Sequence, residues 1–389
     1  NTLPNDPVTN TAGWPRWRTL LPHISAYLAH TPTDTDTNTL ILHNTALFLL
    51  SQGQLSQATG YAERSTAVSA RFFGEDHPDS LTSRNNLAYA YESAGDLERA
   101  IHLYERVLIA RVRVLGEDHP DTLASRNNLA NAYESAGDLK RAIRMHERNL
   151  TDRQHVLGED HPDTLASRNN LANAYESAGD LKRAIPLYEK SLIDGVRILG
   201  PDHPHTLTSR NNLAYAHRSA GNLERAIPLH EQNLTDSVRL LGEDNPFTLA
   251  SRNNLASAYD AAGDLARAIP LYEQTVTNSV RVLGEDHPHT LASRNNLANA
   301  YESAGDPERA IRMHEQNLTD RRRVLGEDHP STLTSRNNLA SAYDAAGDLE
   351  RAIPLYEKSL IDSVRLLGED HPTTHIVRDN LRWSRSRAR

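Results

Sequence analysis

The stretch Val114-Leu-Gly-Glu-Asp-His-Pro-Asp-Thr-Leu-Ala-Ser-Arg-Asn-Asn-Leu-Ala-Asn-Ala-Tyr-Glu-Ser-Ala-Gly-Asp-Leu-Lys-Arg-Ala-Ile143 recurs without a single change as Val156 to Ile185. Its Asn-Asn-Leu-Ala element begins at Asn85, Asn127, Asn169, Asn211, Asn253, Asn295 and Asn337, a fixed step of 42 residues. A fixed period of this length is the signature of a stacked array, in which each unit buries its apolar face against its neighbours. Function then lies in a repeated surface.

One unit reads as two helices and two turns. In Gly116-Glu-Asp-His-Pro-Asp-Thr-Leu123 the proline suits the first helical position, where a missing N–H costs nothing, leaving Asp118 or His119 to cap. The spacing predicts a first helix from about Pro120 to Ala136, with an apolar stripe of Leu129, Ala130, Tyr133 and Ala136. Gly137 ends it and Asp138 caps the next helix. That second helix carries Leu181, Ala184, Ile185, Tyr188, Leu192, Val196 and Leu199 in the third copy and stops at Gly200. Pro307, directly after Asp306, marks the same start independently. Pro186, Pro228, Pro270 and Pro354 lie further inside, where each removes one backbone bond and should bend the axis slightly.

The Leu-Ala-x-Ala-Tyr, Ala-Gly-Asp-Leu and Ala-Ile-x-Leu-Tyr segments resemble the tetratricopeptide repeat in a 42-residue form similar to that of kinesin light chains, from about Leu42 to Leu381. Leu87, Ala88, Tyr91, Gly95, Ala100 and Tyr104 fall on that family's signature packing positions, while His217 replaces the tyrosine in the fourth copy and should loosen packing there. The resemblance implies an all-α fold, an α-solenoid wound as a right-handed superhelix of helix-turn-helix repeats. The chain divides into an N-terminal helical cap or linker at 1–42, a degenerate first repeat at 43–84, seven full repeats at 85–378 and a truncated repeat with a tail at 379–389. All three tryptophans, Trp14, Trp17 and Trp383, lie outside the full repeats, as expected of residues that close exposed ends. Trp14-Pro-Arg-Trp-Arg-Thr-Leu-Leu-Pro-His-Ile24 looks like the segment that joins an NB-ARC module to tetratricopeptide repeats in actinobacterial signalling ATPases of the STAND class. A chain that starts Asn1-Thr-Leu-Pro, without Met, fits a fragment with such a module upstream.

Composition narrows the function. Lys and Arg number 42 against 51 Asp and Glu, and a net charge of −9 repels a phosphate backbone, so nucleic acid is a poor partner. With no cysteine there is neither disulfide nor thiolate chemistry, which suits a cytoplasmic setting, and no apolar run is long enough to span a bilayer. No cofactor or metal is expected. His203-Pro-His205 and His287-Pro-His289 read as turn residues lacking a third ligand, and Asp34-Thr-Asp-Thr-Asn38 as a polar linker lacking the glycine and glutamate of a calcium loop. No phosphate-binding loop or nucleophile elbow occurs, so an enzyme is excluded as the reading. The tail Arg382-Trp-Ser-Arg-Ser-Arg-Ala-Arg reads as a disordered, solvated end.

Opposite the apolar stripe, Ala124, Asn128, Asn131 and Ser135 form a small polar stripe that should face a groove. In the tetratricopeptide family the asparagine five residues before the tyrosine commonly grips an extended peptide backbone. Here the matching residues are Asn86, Asn128, Asn170, Asn212, Asn254, Asn296 and Asn338. The competing reading is that each bonds the adjacent helix; the first asparagine of each pair, such as Asn127, reads as structural. Three residues on stand Tyr89, Asn131, Asn173, Tyr215, Ser257, Asn299 and Ser341, which either tune side-chain recognition or tolerate drift. Four such bonds at about 1 kcal/mol each cannot make a tight site alone. Two further ladders, Arg84, Arg126, Arg168, Arg210, Arg252, Arg294 and Arg336, and Glu105, Glu147, Glu189, Glu231, Glu273, Glu315 and Glu357, suggest repeat-to-repeat ion pairs; an arginine row receiving a carboxylate ligand is the sharper alternative. The expectation is a protein- or peptide-binding module, the sensor arm of a STAND-type ATPase, with a self-assembling scaffold as the alternative.

Overall fold

In a computed structural model the described residues are 3–4, 6–8, 10–30 and 35–388, with the backbone alone at Thr11 and Asp36. They form α-helices joined by short turns, with no strand among the described residues. The chain divides into two compact units, 1–135 and 136–389. The first holds a 3-10 turn and helices α1 (Trp14–His30), α2 (Asp36–Ser51), α3 (Leu55–Phe73), α4 (Pro78–Ser93), α5 (Leu97–Leu115) and α6 (Pro120–Ser135). The second holds α7 (Leu139–Leu157), α8 (Pro162–Ser177), α9 (Leu181–Leu199), α10 (Pro204–Ser219), α11 (Leu223–Leu241) and α12 (Pro246–Ala261). It continues with α13 (Leu265–Leu283), α14 (Pro288–Ser303), α15 (Pro307–Leu325), α16 (Pro330–Ala345), α17 (Leu349–Leu367) and α18 (Pro372–Arg387). Within each unit every helix packs on the one before and the one after, which makes the fold an α-solenoid.

Local chemistry sets these bounds. The turn histidine, not the aspartate before it, caps the first helix: His161 Nδ1 accepts from the Asp163 N–H at 3.1 Å, and Asn245 does the same for Phe247 at 2.9 Å. The helix then ends in Ala-Gly-Asp, where Gly179 takes φ +76°, a conformation costly for any side chain, and Asp180 receives the Arg183 N–H at 3.2 Å. The second helix closes on another positive-φ glycine, such as Gly158 at +89°. Pro186, Pro228, Pro270 and Pro354 are exposed, and their helices continue through them.

Small residues let the helices close up. Ala172, Ala174 and Ala184 are fully buried beside Leu171, Tyr175 and Tyr188, and the same set recurs as Ala256, Ala258, Ala268, Leu255, Tyr259 and Tyr272. At the N-terminal end Trp14 and Trp17 are buried, Trp17 stacking on Phe48 of α2 at 5.3 Å.

Three expectations need correction. Asp34 lies outside the described residues, but the rest of the supposed linker opens α2, with Thr35 Oγ1 accepting the Asn38 N–H at 3.1 Å, so α2 crosses the boundary placed at residue 42. The tail is helical through Arg387 and buries Ser384. Trp383 is 64% exposed, so only two of the tryptophans close an end.

Candidate binding face of the first helices

The helices opened by the turn proline, α4, α6, α8, α10, α12, α14 and α16, carry every predicted contact residue. In the second unit successive members of this row touch one another, and α16 touches α18, with no comparable contact between successive second helices. The first helices therefore form the tighter side of that stack, where a continuous polar face can be presented.

The asparagine pairs are knitted together across repeats. Asn128 Nδ2 donates to Asn85 Oδ1 at 3.2 Å, Asn254 to Asn211 at 2.9 Å, Asn296 to Asn253 at 3.1 Å, Asn338 to Asn295 at 2.9 Å and Asn380 to Asn337 at 3.3 Å. Asn212 instead reaches Asn173 Oδ1 at 3.3 Å, and Asn86 contacts His43 Nδ1 at 3.0 Å, where burial pushes the imidazole pKa down. The first asparagine is structural, as expected. The second is shared between the two readings: one of its two amide N–H groups is committed to the neighbouring repeat, and in Asn128, Asn254, Asn296 and Asn338 the other N–H and the carbonyl oxygen are left for a ligand. These residues, with Asn170, are half-buried.

The position three residues on sorts by what lies beneath it. Tyr188 of α9 sends its hydroxyl to Asn173 and to Glu176 at 2.9 Å, and Tyr272 and Tyr356 bond Ser257 and Ser341. Small polar residues there pair with a tyrosine hydroxyl. Tyr89 and Tyr215 are 49% and 42% exposed, Asn131 is half-buried and Asn299 is exposed. This reveals a pattern the 42-residue reading misses. The second helices alternate Tyr104, His146, Tyr188, His230, Tyr272, His314 and Tyr356, and three residues later each histidine is followed by Asn149, Asn233 or Asn317 and each tyrosine by Val107, Ser191, Thr275 or Ser359, none of which carries a carboxamide. The true period is two repeats, a signal visible only when alternate copies are compared.

The charged ladders also need correction, because they do not pair with each other. Arg168 closes on Asp194 at 2.7 Å, Arg210 on Asp236 at 2.7 Å, Arg294 on Asp320 at 3.4 Å and Arg336 on Asp362 at 2.6 Å, each within its own helix pair. Each already paired with an aspartate, and Arg168, Arg210 and Arg336 buried as well, these guanidinium groups offer no landing row for a carboxylate ligand. The glutamates instead accept tyrosine hydroxyls from the next repeat, Tyr133 to Glu105 at 2.6 Å, Tyr175 to Glu147 at 2.5 Å and Tyr301 to Glu273 at 2.5 Å, with Tyr259 to Glu231 and Tyr343 to Glu315 alike. Arginine from the following helix stacks over several of the same rings, for example Arg183 over Tyr175 at 4.2 Å. His217 remains buried rather than loosening the packing; what it lacks is the phenol that would reach Glu189.

His203 and His287 are helix caps, as their turn positions suggested. Among the described residues no group of three or more His, Asp or Glu could hold a metal ion, and no helix is long and apolar enough to cross a membrane.

A polar face carried on stacked helix pairs defines a helical-repeat protein of the kind that recognises other chains. This chain belongs to the tetratricopeptide repeat family, whose models match residues 38–108, 95–151, 136–192 and 211–279, residues 290–331 and 332–373, and residues 171–235. Among solved structures it is similar to the nearly identical repeats of a kinesin-light-chain candidate from Podosopora anserina, with 34% identity over 53% of this chain and 97% of that one and a TM-score of 0.45. BtubC (BKLC) from P. vanneervenii is 25% identical over 60% of this chain and 94% of its own, TM-score 0.48. A Rap protein complexed with competence and sporulation factor shares the fold at 10% identity, covering 90% of this chain and 99% of that one with a TM-score of 0.54. A search of curated proteins finds no match.

Proposed function

We propose that the chain is a recognition module that takes an extended protein segment along the first-helix face. The observation that carries this reading is the row of unfilled acceptors in the second unit, the carbonyl oxygens of Asn254, Asn296 and Asn338, flanked by exposed Tyr215 and Asn299. Fixed on rigid helices, such groups meet backbone N–H donors without reordering, which lowers the cost of binding. The matching segment Trp14 to Ile24 lies in α1, whose tryptophans are buried, and this helical dock supports a second element of the proposal: the array is the sensor arm of a STAND-type ATPase whose nucleotide-binding module is encoded upstream.

A random peptide library selected on the 389-residue chain tests the binding reading. Selected peptides should lose affinity for a variant with Asn254, Asn296 and Asn338 changed to alanine, once circular dichroism shows that it remains helical. Recovery of no binder, or of binders indifferent to these changes, refutes the face. Self-association in sedimentation runs without peptide would instead favour a scaffold, for which Ile109, Ile193 and Ile361, 70%, 66% and 68% exposed on the second helices, supply the surface.

A further inference from the structure

We propose that the part of the face around Asp260 and Glu302 selects a positively charged peptide, one with two basic side chains about three residues apart; this rests on the peptide-binding reading above. Each first helix carries a charged residue directly after its tyrosine or its replacement, and in the second unit these are Glu176, Arg218, Asp260, Glu302 and Asp344. Three are already engaged. Glu176 accepts the Tyr188 hydroxyl at 2.9 Å and that of Ser219 at 3.3 Å, Arg218 lies over the Tyr215 ring at 4.5 Å, and Asp344 takes Ser384 Oγ and, at 2.5 Å, Arg387 Nη1. Asp260 and Glu302, on adjacent repeats, have neither a side-chain hydrogen bond nor an ion pair, although both are half-buried. Burial pushes both carboxyls up, Asp344 adding to the effect at Glu302 and Arg218 opposing it at Asp260. Glu302 has no counter-charge and Asp260 has only Arg218, which makes no ion pair with it; half-desolvated carboxylates so placed are costly and gain from a cation.

Two independent features point to the same occupant. His314 is fully buried with both ring nitrogens unpartnered, and it holds the helix position from which Tyr188 reaches Glu176; no hydroxyl rises from there to Glu302. Beneath Asp260 the Tyr272 hydroxyl is paired with Ser257. The next position along, Asp344, shows what fills such a carboxylate, since an arginine of the chain's own last helix is seated on it. Asn254 and Asn296, whose carbonyl oxygens are free, stand on the same two helices as the carboxylates. Neighbouring packed helices lie about 8–10 Å apart, and a peptide in the polyproline II form rises about 3.1 Å per residue and returns a side chain to the same face every three residues, which sets the spacing of the two basic side chains at about three residues.

The test uses an end-blocked, fluorescent Gly-Ala-Arg-Ala-Ala-Arg-Ala-Gly peptide and its Glu-for-Arg counterpart, with the full chain. The arginine peptide should bind, bind more weakly as salt rises, and lose about tenfold or more in affinity for the Asp260→Asn, Glu302→Gln double variant. Glu176→Gln, at an engaged position, should leave affinity unchanged. The double variant should melt no lower than the parent, because it removes uncompensated charge. Failure of the arginine peptide to bind, equal affinity for the double variant, or preference for the glutamate peptide overturns the charge selection. In those cases library peptides that still depend on the asparagine face would preserve the broader reading, whereas a library without binders removes both.

Discussion

Arg252 is the one buried ladder arginine that faces an asparagine where four others meet an aspartate. In the complete version the charges form a chain: Arg168 to Asp194, Asp194 to Arg197 at 3.2 Å, and Arg197 to Asp160 of the preceding turn at 2.6 Å, repeated around Asp236, Asp320 and Asp362. The buried pair is thereby tied to a surface pair between repeats, and Asp160 is held below the usual carboxylate range by Arg197. At the corresponding place stands Asn278. Arg252 Nη1 is buried with no partner, its nearest carboxylate is Glu243 at 3.9 Å, and burial pushes the guanidinium pKa down. A charge left alone in a partly desolvated site is a destabilising feature. Asn278→Asp should therefore stabilise the chain by about 1–2 kcal/mol, read as a higher thermal midpoint. A lower midpoint for Asn278→Asp would show that Arg252 is compensated in some other way.

At the scale of the element, the histidine cap is the feature most open to test. A ring Nδ1 can accept an N–H only when it carries no proton, so each cap needs a neutral imidazole with hydrogen on Nε2. Asn245 shows that a carboxamide does the same work in α12. His161→Asn should consequently be close to neutral in chemical denaturation, whereas His161→Ala should cost about 1 kcal/mol. Helix bounds of this kind were legible in the sequence because caps, the leading proline and the closing glycine act within a few residues of one another. Partners across helices were not. Arg168 finds Asp194 and Tyr175 finds Glu147 because of the rotation of one packed helix on another, and equal counts of Arg and Glu misleadingly suggested that those two ladders meet. The asparagines stand on the first helices, where their spacing put them, but the use of their Nδ2 groups depends on how close the next repeat lies, which no local pattern reports.

For the array as a whole, the two-repeat alternation couples stability to acid. His146, His230 and His314 are buried, both nitrogens of each ring lack a partner, and burial pushes each pKa down to about 4, with Arg218 adding to the effect at His230 and Arg321 at His314. In an unfolded chain the imidazole titrates near 6.5, so between these values the unfolded state binds the proton and the folded state does not. The contribution is intact above about pH 6.5 and falls as the pH drops toward 4, by up to about 1.4 kcal/mol per pH unit for each histidine. Because stability in a stacked array is a sum over units and their interfaces, three such sites on alternate second helices should act together. The natural control is to write the tyrosine version into a histidine repeat. His230→Tyr alone forces a larger ring against Asn233, so the paired change His230→Tyr with Asn233→Ser, the combination found at Tyr188 and Ser191, is the one that fits. Thermal melts from pH 7 to pH 5 should show the parent losing several degrees more than this double variant, and converting all three histidine repeats should flatten the curve further. Equal losses for parent and variant would assign the acid sensitivity to carboxylates elsewhere and leave the alternation as a matter of packing volume alone.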